Sequence, residues 1–283
     1  MRFCNADGRS AVLVGDQLFD LAQASSGTLS ADPTTLVTTQ WEQAVAFAAA
    51  GALGGGRPLA GATLGPPVPR PGTIFGIGLN YRDHAAEAGL EAPEFPTVFA
   101  KFPASVCGPH DDVVLPAGVA TADWEAEVAV VVGREARDVP AEAGWDHVAG
   151  LMAAQDVSDR ELQLRPGVQF SLGKSRDTFC PLGPVLTATA ALDDRDAVAI
   201  RCRLNGELVQ DSCTDQLIFS VPRLVALLSS VLTLRPGDVI LTGTPSGVGV
   251  ARRPPRHLAD GDVLETEVAG VGLLRNVCRA AAR

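Results

Sequence analysis

Asp123-Trp-Glu-Ala-Glu-Val-Ala-Val-Val-Val-Gly133 sets two carboxylates, Glu125 and Glu127, into an otherwise apolar run. Side chains alternate faces along a strand, so Glu125, Glu127, Ala129 and Val131 share one face and Trp124, Ala126, Val128, Val130 and Val132 the other. Neither face reads as solvent-facing along its whole length. Two partly desolvated anions two residues apart repel unless a proton, a basic partner or a bound cation sits between them. A divalent metal is one reading. A half-exposed edge strand whose glutamates point into water is the other, and the stretch alone leaves both open.

Outward from this run, Thr73 to Gly78, Thr97 to Phe102 and Val148 to Asp156 are short, apolar and bounded by glycine, as buried strands are. Ser158-Asp-Arg-Glu161 has the spacing of a capping box, which predicts a helical turn carrying Arg160 and Gln163 on one face beside Asp156. A second helix is predicted from Ser220 and Pro222 to about Leu232, and Pro236-Gly-Asp and Asp260-Gly-Asp each mark a turn feeding a strand. Near the start, Ser10 to Val14 and Gln17 to Leu21 flank Gly15-Asp16 as a hairpin, and Trp41, Val45 and Ala48 recur at helical spacing until Gly51. The Gly- and Pro-rich run from Gly54 to Gly72 reads as a linker. It divides the chain into a small domain over 1–70 and a larger one over 71–283.

A chain of 283 residues with 46% hydrophobic and 20% charged content is that of a soluble globular protein able to bury a substantial core. A net charge of -10 and a pI near 4.9 argue against nucleic acid or an anionic membrane as partner, since both require clustered basic surface. A small anionic substrate is compatible with that charge if positive side chains are focused locally. The amino terminus lacks the apolar stretch of a signal peptide, and the longest greasy run, Leu224 to Leu234, is too short for a bilayer. The expectation is a cytoplasmic protein. Six cysteines without a Cys-x-x-Cys pair supply neither a zinc site nor a disulfide framework.

Asp156 falls where an apolar strand yields to a helix, so it is either a rigidly held carboxylate or a helix-cap acceptor. With Glu125 and Glu127 it would complete an all-carboxylate site of the kind that suits magnesium or manganese. His84 and Glu87, three apart on a short turn ending at Gly89, can form a carboxylate-oriented imidazole, which is how a general base for water is made; a surface ion pair is the plainer alternative. Lys174 follows a glycine in Gly173-Lys-Ser-Arg-Asp-Thr178, where its ammonium could meet a developing enolate or a carboxylate, or simply be solvated. Leu241-Thr-Gly-Thr-Pro-Ser-Gly-Val-Gly249 offers amides and the Thr244 hydroxyl for a carboxylate. It has neither the Walker lysine nor the dinucleotide glycine spacing, and no Gly-x-Ser-x-Gly elbow is present.

In order, Gly78-Leu-Asn-Tyr-Arg-Asp-His-Ala-Ala-Glu87, Asp123-Trp-Glu-Ala-Glu127, Asp156-Val-Ser-Asp-Arg160 with Gln163, Gly173 to Gly183 and Leu241 to Gly247 resemble the fumarylacetoacetate hydrolase family from about residue 72 to 278. The resemblance implies an α+β fold, a mixed β-sheet roll behind a small N-terminal domain, and a homodimer. It implies Mg2+ or Mn2+ on Glu125, Glu127 and Asp156, a mobile segment carrying His84 and Glu87, and substrate contacts from Arg160, Gln163, Lys174 and Thr244, with Thr178 supporting the metal site. Asp159 departs from the small residue many members carry there, and its charge bears on substrate preference.

Both lines lead to one expected activity: a metal-dependent hydrolase cleaving a carbon–carbon bond in a 2,4-dioxo acid of the acylpyruvate type, giving pyruvate and a carboxylic acid. In this scheme His84, held by Glu87, activates water and Lys174 meets the developing charge. The alternatives on the same metal-enolate chemistry are oxaloacetate decarboxylation and isomerisation of a 2-hydroxyhepta-2,4-diene-1,7-dioate-type acid. From another class, the alternative is a non-catalytic binding protein retaining the fold.

Overall fold

The acidic run becomes the strand Ala126–Val132, and its antiparallel neighbour is Val148–Gln155; every residue of both is buried. Valine-rich strands are stable only where both faces are covered, and here they are. Ala129 and Val131 pack with Phe3, Leu36, Trp41 and Ala44 in one core, whereas Ala126, Val128 and Val130 pack with Ile200, Leu264 and Leu274 in another. The alternation read from the sequence thus separates two hydrophobic cores.

A computed structural model describes residues 1–51, 53–167 and 169–281. Residue 168 and residues 282–283 of the expected larger domain lie outside the described residues. The large sheet runs in spatial order Arg57–Pro58, Gln17–Asp20, Arg9–Val14, Arg2–Ala6, Cys180–Ala188, Val148–Gln155, Ala126–Val132, Val239–Leu241, Ile74–Gly78 and Thr97–Lys101. Val239–Leu241 and Ile74–Gly78 are parallel, which makes the sheet mixed. A second sheet, Glu207–Cys213, Ala199–Leu204, Val263–Val268, Gly272–Ala280 and Val113–Leu115, packs against one face. The helices Pro33–Thr39 and Trp41–Ala49 cover part of the other. The fold is α+β.

The expected hairpin is Arg9–Val14 with Gln17–Asp20. Leu21 starts a helical turn instead of extending the strand, because the Asp20 carboxylate accepts from the Gln23 amide and caps it. Arg2–Ala6 pairs with Cys180–Ala188, so chain from both sides of residue 70 contributes to one sheet. The capping box expected at Ser158 does not form. Pairing of Asp123 with Ser158 keeps that residue extended, and Asp159 caps the helix Arg160–Gln163 instead, accepting from the Leu162 amide at 3.3 Å. Ser220 stands at the N-cap of the helix Val221–Val231 without a side-chain bond, leaving Pro222 as the working start signal. Among the described residues, no helix is long and apolar enough to cross a membrane.

Candidate metal centre and active site

Register brings the acidic residues together. Ala126 pairs with Gln155, so Glu125 and Asp156 lie opposite each other one step beyond the strand ends, and the Asp156 amide donates to the Glu125 carbonyl at 2.9 Å. Cross-strand partners point to the same face and Glu127 is two residues from Glu125, so all three carboxylates converge. One oxygen from each lies within 4.8 Å of the others, and all three residues are buried.

Three cations meet them unequally. The Lys174 ammonium donates to Glu125 at 2.6 Å and to Asp156 at 2.7 Å. Lys101 donates to the other Asp156 oxygen at 2.6 Å and to the Val157 carbonyl. Arg160 contacts Glu125 at 2.6 Å through Nη1 and Asp123 at 2.8 Å through Nε and Nη2. Burial alone would push the Glu125 carboxyl up, but Lys174 and Arg160 hold it down at about 2. Burial would likewise lower Lys174, and Asp156 and Glu125 raise it instead. Among the described residues, none of these cations bonds Glu127. Burial, then Asp156 and Glu125, push its carboxyl well above the usual range, opposed by Lys174 and by the 2.7 Å bond from the Gly243 amide.

An oxygen-only set with one under-compensated carboxylate fits a hard divalent cation, whose charge would relieve the repulsion centred on Glu127. Glu125, Glu127 and Asp156 would hold it.

The remaining site residues arrive on neighbouring elements. Ile74–Gly78 leads to the short helix Arg82–Glu87, where His84 Nδ1 lies 3.2 Å from Glu87. Glu87 also accepts from the Gly247 amide at 2.9 Å, the Asp83 carboxylate accepts from Ser212 at 2.7 Å, and Arg82 donates to the Asp215 carbonyl. The helix is therefore seated on the loop after Val239–Leu241 and on the strand Glu207–Cys213. Gln163 accepts from Arg160 at 3.0 Å, the i, i+3 relation expected of that turn. Lys174 is brought in by a close crossing: a Cβ on Gly173 would lie 2.5 Å from the Gln163 amide nitrogen.

Two expected contacts take other partners. The Thr244 hydroxyl donates to the Ala126 carbonyl and accepts from Gln210, so its single proton secures the strand end and is not free for a substrate carboxylate. Thr178, whose backbone is left-handed at φ 64°, accepts from the Val114 amide of the strand Val113–Leu115 at 2.7 Å and, among the described residues, bonds none of the three carboxylates. Asp159 is paired with Arg176 at 2.8 Å and engaged in capping, so its charge is neutralised locally. Sequence reasoning missed Lys101, though alternation along Thr97-Val-Phe-Ala-Lys101 places it on the inward face with Phe99. It also missed Gln155 and Gln210, whose side-chain oxygens accept from the Glu125 and Ala126 amides. Nothing short of the pairing pattern reveals those two.

Residues 73–279 match the family model for the C-terminal domain of fumarylacetoacetate (FAA) hydrolase. The chain belongs to the fumarylacetoacetate hydrolase family. A mitochondrial oxaloacetate tautomerase of Homo sapiens is 46% identical over 211 residues, 74% of this chain and 67% of that protein. The crystal structure of a Mycobacterium smegmatis protein superposes with a TM-score of 0.94 at 46% identity over 100% of both chains. Maleylpyruvate hydrolase from Sphingobium sp. SYK-6, in complex with manganese(II) and pyruvate, superposes with a TM-score of 0.82 at 30% identity over 100% of both chains. Enzymatic activity of the family's kind is supported by these relatives.

Proposed function

We propose that this chain is a metal-dependent enzyme of small 2-oxo acids that works by moving a proton to form or use an enol, with oxaloacetate-type keto–enol tautomerisation as its leading reaction. The carrying observation is the convergence of Glu125, Glu127 and Asp156, with Lys174 beside them and the His84–Glu87 pair seated over the same sheet end. The 46% identity to an oxaloacetate tautomerase favours this order over the hydrolysis expected from the sequence.

Mg2+ or Mn2+ held by the three carboxylates would supply a Lewis acid that fixes the 2-oxo acid and stabilises negative charge on its oxygen. The chain's own groups do the rest. A carboxylate partner at Nδ1 leaves the neutral His84 imidazole with its proton on that nitrogen, and Nε2 free to accept one from the carbon beside the 2-oxo group. The Lys174 ammonium donates toward the developing enolate oxygen, and the proton returned there completes the enol. Arg160 and Gln163 orient the substrate carboxylate.

Hydrolysis of an acylpyruvate uses the same parts, with His84 taking its proton from water that adds to the far carbonyl; carbon–carbon cleavage then releases a carboxylic acid and the enol of pyruvate, which reprotonates. The manganese- and pyruvate-bound maleylpyruvate hydrolase, at 30% identity, supports this second reading. Cytoplasmic location and homodimeric assembly stand with it as proposals from the sequence; light scattering on the purified protein tests the dimer.

Oxaloacetate and an acylpyruvate are each mixed with the Mn2+-loaded protein, and the enol absorbance and the products are followed. Metal-dependent acceleration of enol interconversion without consumption of oxaloacetate is expected. No metal-dependent change with either substrate would overturn the proposal.

A further inference from the structure

One loop sends four backbone amides to three carboxylates. The Gly243 amide meets Glu127 at 2.7 Å, the Gly247 amide meets Glu87 at 2.9 Å, and the Gly249 and Val250 amides meet the two oxygens of Asp123 at 2.7 and 3.0 Å. Gly249 is required for that approach, since a Cβ there would lie 2.0 Å from the Arg256 carbonyl oxygen and 2.5 Å from Asp123 Oδ1. Asp123 is fully buried and also receives its neighbour's Trp124 amide and both Nε and Nη2 of Arg160. Every donor around it is an N–H, so a carboxylate, which only accepts, is the one acid-sized group that satisfies them all.

We infer that Asp123 is a positioning residue: it orients the Arg160 guanidinium so that Nη1 reaches Glu125 and Gln163, and it pins the loop whose Gly247 amide catches Glu87 of the His84 helix. It touches neither the three converging oxygens nor the His84 ring. Its effect on a bound 2-oxo acid is exerted through Arg160, and in this it rests on the functional reading above. An asparagine at 123 would have to turn its amide N–H groups either toward Arg160 and the Val250 amide, which share Oδ2, or toward the Trp124 and Gly249 amides, which share Oδ1, opposing donors with donors.

The test is a double-mutant cycle on the Mn2+-loaded full chain, read by calorimetric binding of oxalate, with Mn2+ affinity measured separately. Asp123→Asn is expected to weaken oxalate about ten- to a hundredfold, the scale of a charge-assisted hydrogen bond, and to affect Mn2+ less than oxalate. The double variant Asp123→Asn with Arg160→Lys should bind oxalate no more weakly than Arg160→Lys alone. Oxalate affinity unchanged in a folded Asp123→Asn protein, or losses that simply add, would overturn the assignment. If Asp123→Asn does not fold, Asp123→Glu, which keeps the charge and displaces it, takes its place in the cycle with the same two outcomes. Failure of the unmodified Mn2+ protein to bind oxalate would sink the functional reading and this assignment together, whereas normal binding with an indifferent residue 123 sinks only the latter.

Discussion

Replacing Glu127 with glutamine should make the metal-free protein more stable and the metal-loaded protein less stable, a reversal that few other single changes would produce. Glu127 is buried, sits within 4.8 Å of the other two carboxylates and has the Gly243 amide as its hydrogen-bond donor. Its carboxyl pKa in the folded state is raised above the ordinary 4.5 by burial and by Asp156 and Glu125. Above pH 4.5 the unfolded chain has released this proton while the folded one retains it, so the folded state binds more protons and metal-free stability falls as pH rises toward the folded value. Glutamine, isosteric with the protonated acid, removes that loss. With metal the sign inverts. An ion at a hundred times its Kd stabilises by about 2.7 kcal/mol, and loss of a ligand should weaken binding at least as much as the ten- to hundredfold seen for outer partners. A hundredfold loss at the same ion concentration leaves only RT ln 2, about 0.4 kcal/mol, and each kcal/mol is worth roughly 2 °C or more for a chain of this size. The assay is thermal unfolding at pH 8 with chelator and with Mn2+. If Glu127→Gln melts below the unmodified protein in chelator, or gains as much from Mn2+, the carboxylate cluster is not the metal site described here.

Three further outcomes follow from the same geometry. His84→Ala should reduce turnover by about two to four orders of magnitude with Mn2+ affinity retained, and unchanged turnover would remove its role as base. Lys101→Met breaks a buried pair at 2.6 Å to Asp156 and should cost about 3 kcal/mol of metal-free stability; an unchanged denaturation midpoint would show that Lys174 alone neutralises Asp156. Glu125, held down at about 2 against burial, stabilises the folded chain above pH 4.5, and that contribution, on the order of 3 kcal/mol, should be lost as pH falls from 4.5 through about 2. Acid titration of stability checks it, since Glu125→Gln should flatten that limb.

The period-two pattern of residues 123–133 was legible because burial on both sides of a sheet leaves a simple mark, and its two faces do meet two cores. The carboxylates at 125 and 127 could be placed on one face for the same reason. That Asp156 joins them depends on the Ala126–Gln155 register, which no local pattern carries. Thr244 and Thr178 were placed by motif, and motif does not say where a hydroxyl proton goes; in the fold one is engaged at the Ala126 carbonyl and the other hydroxyl at the Val114 amide. Ser158 lost its cap role because pairing with Asp123 holds it extended, a tertiary effect stronger than the local signal. Lys101 was readable in principle, as a lysine on the inward face of an apolar strand.

The most direct measurement is a crystal structure grown with Mn2+ and oxalate. It should show one anomalous peak coordinated by oxygens of Glu125, Glu127 and Asp156, with oxalate chelating the same ion. Manganese bound elsewhere, or those three side chains turned apart with no ion between them, would contradict it.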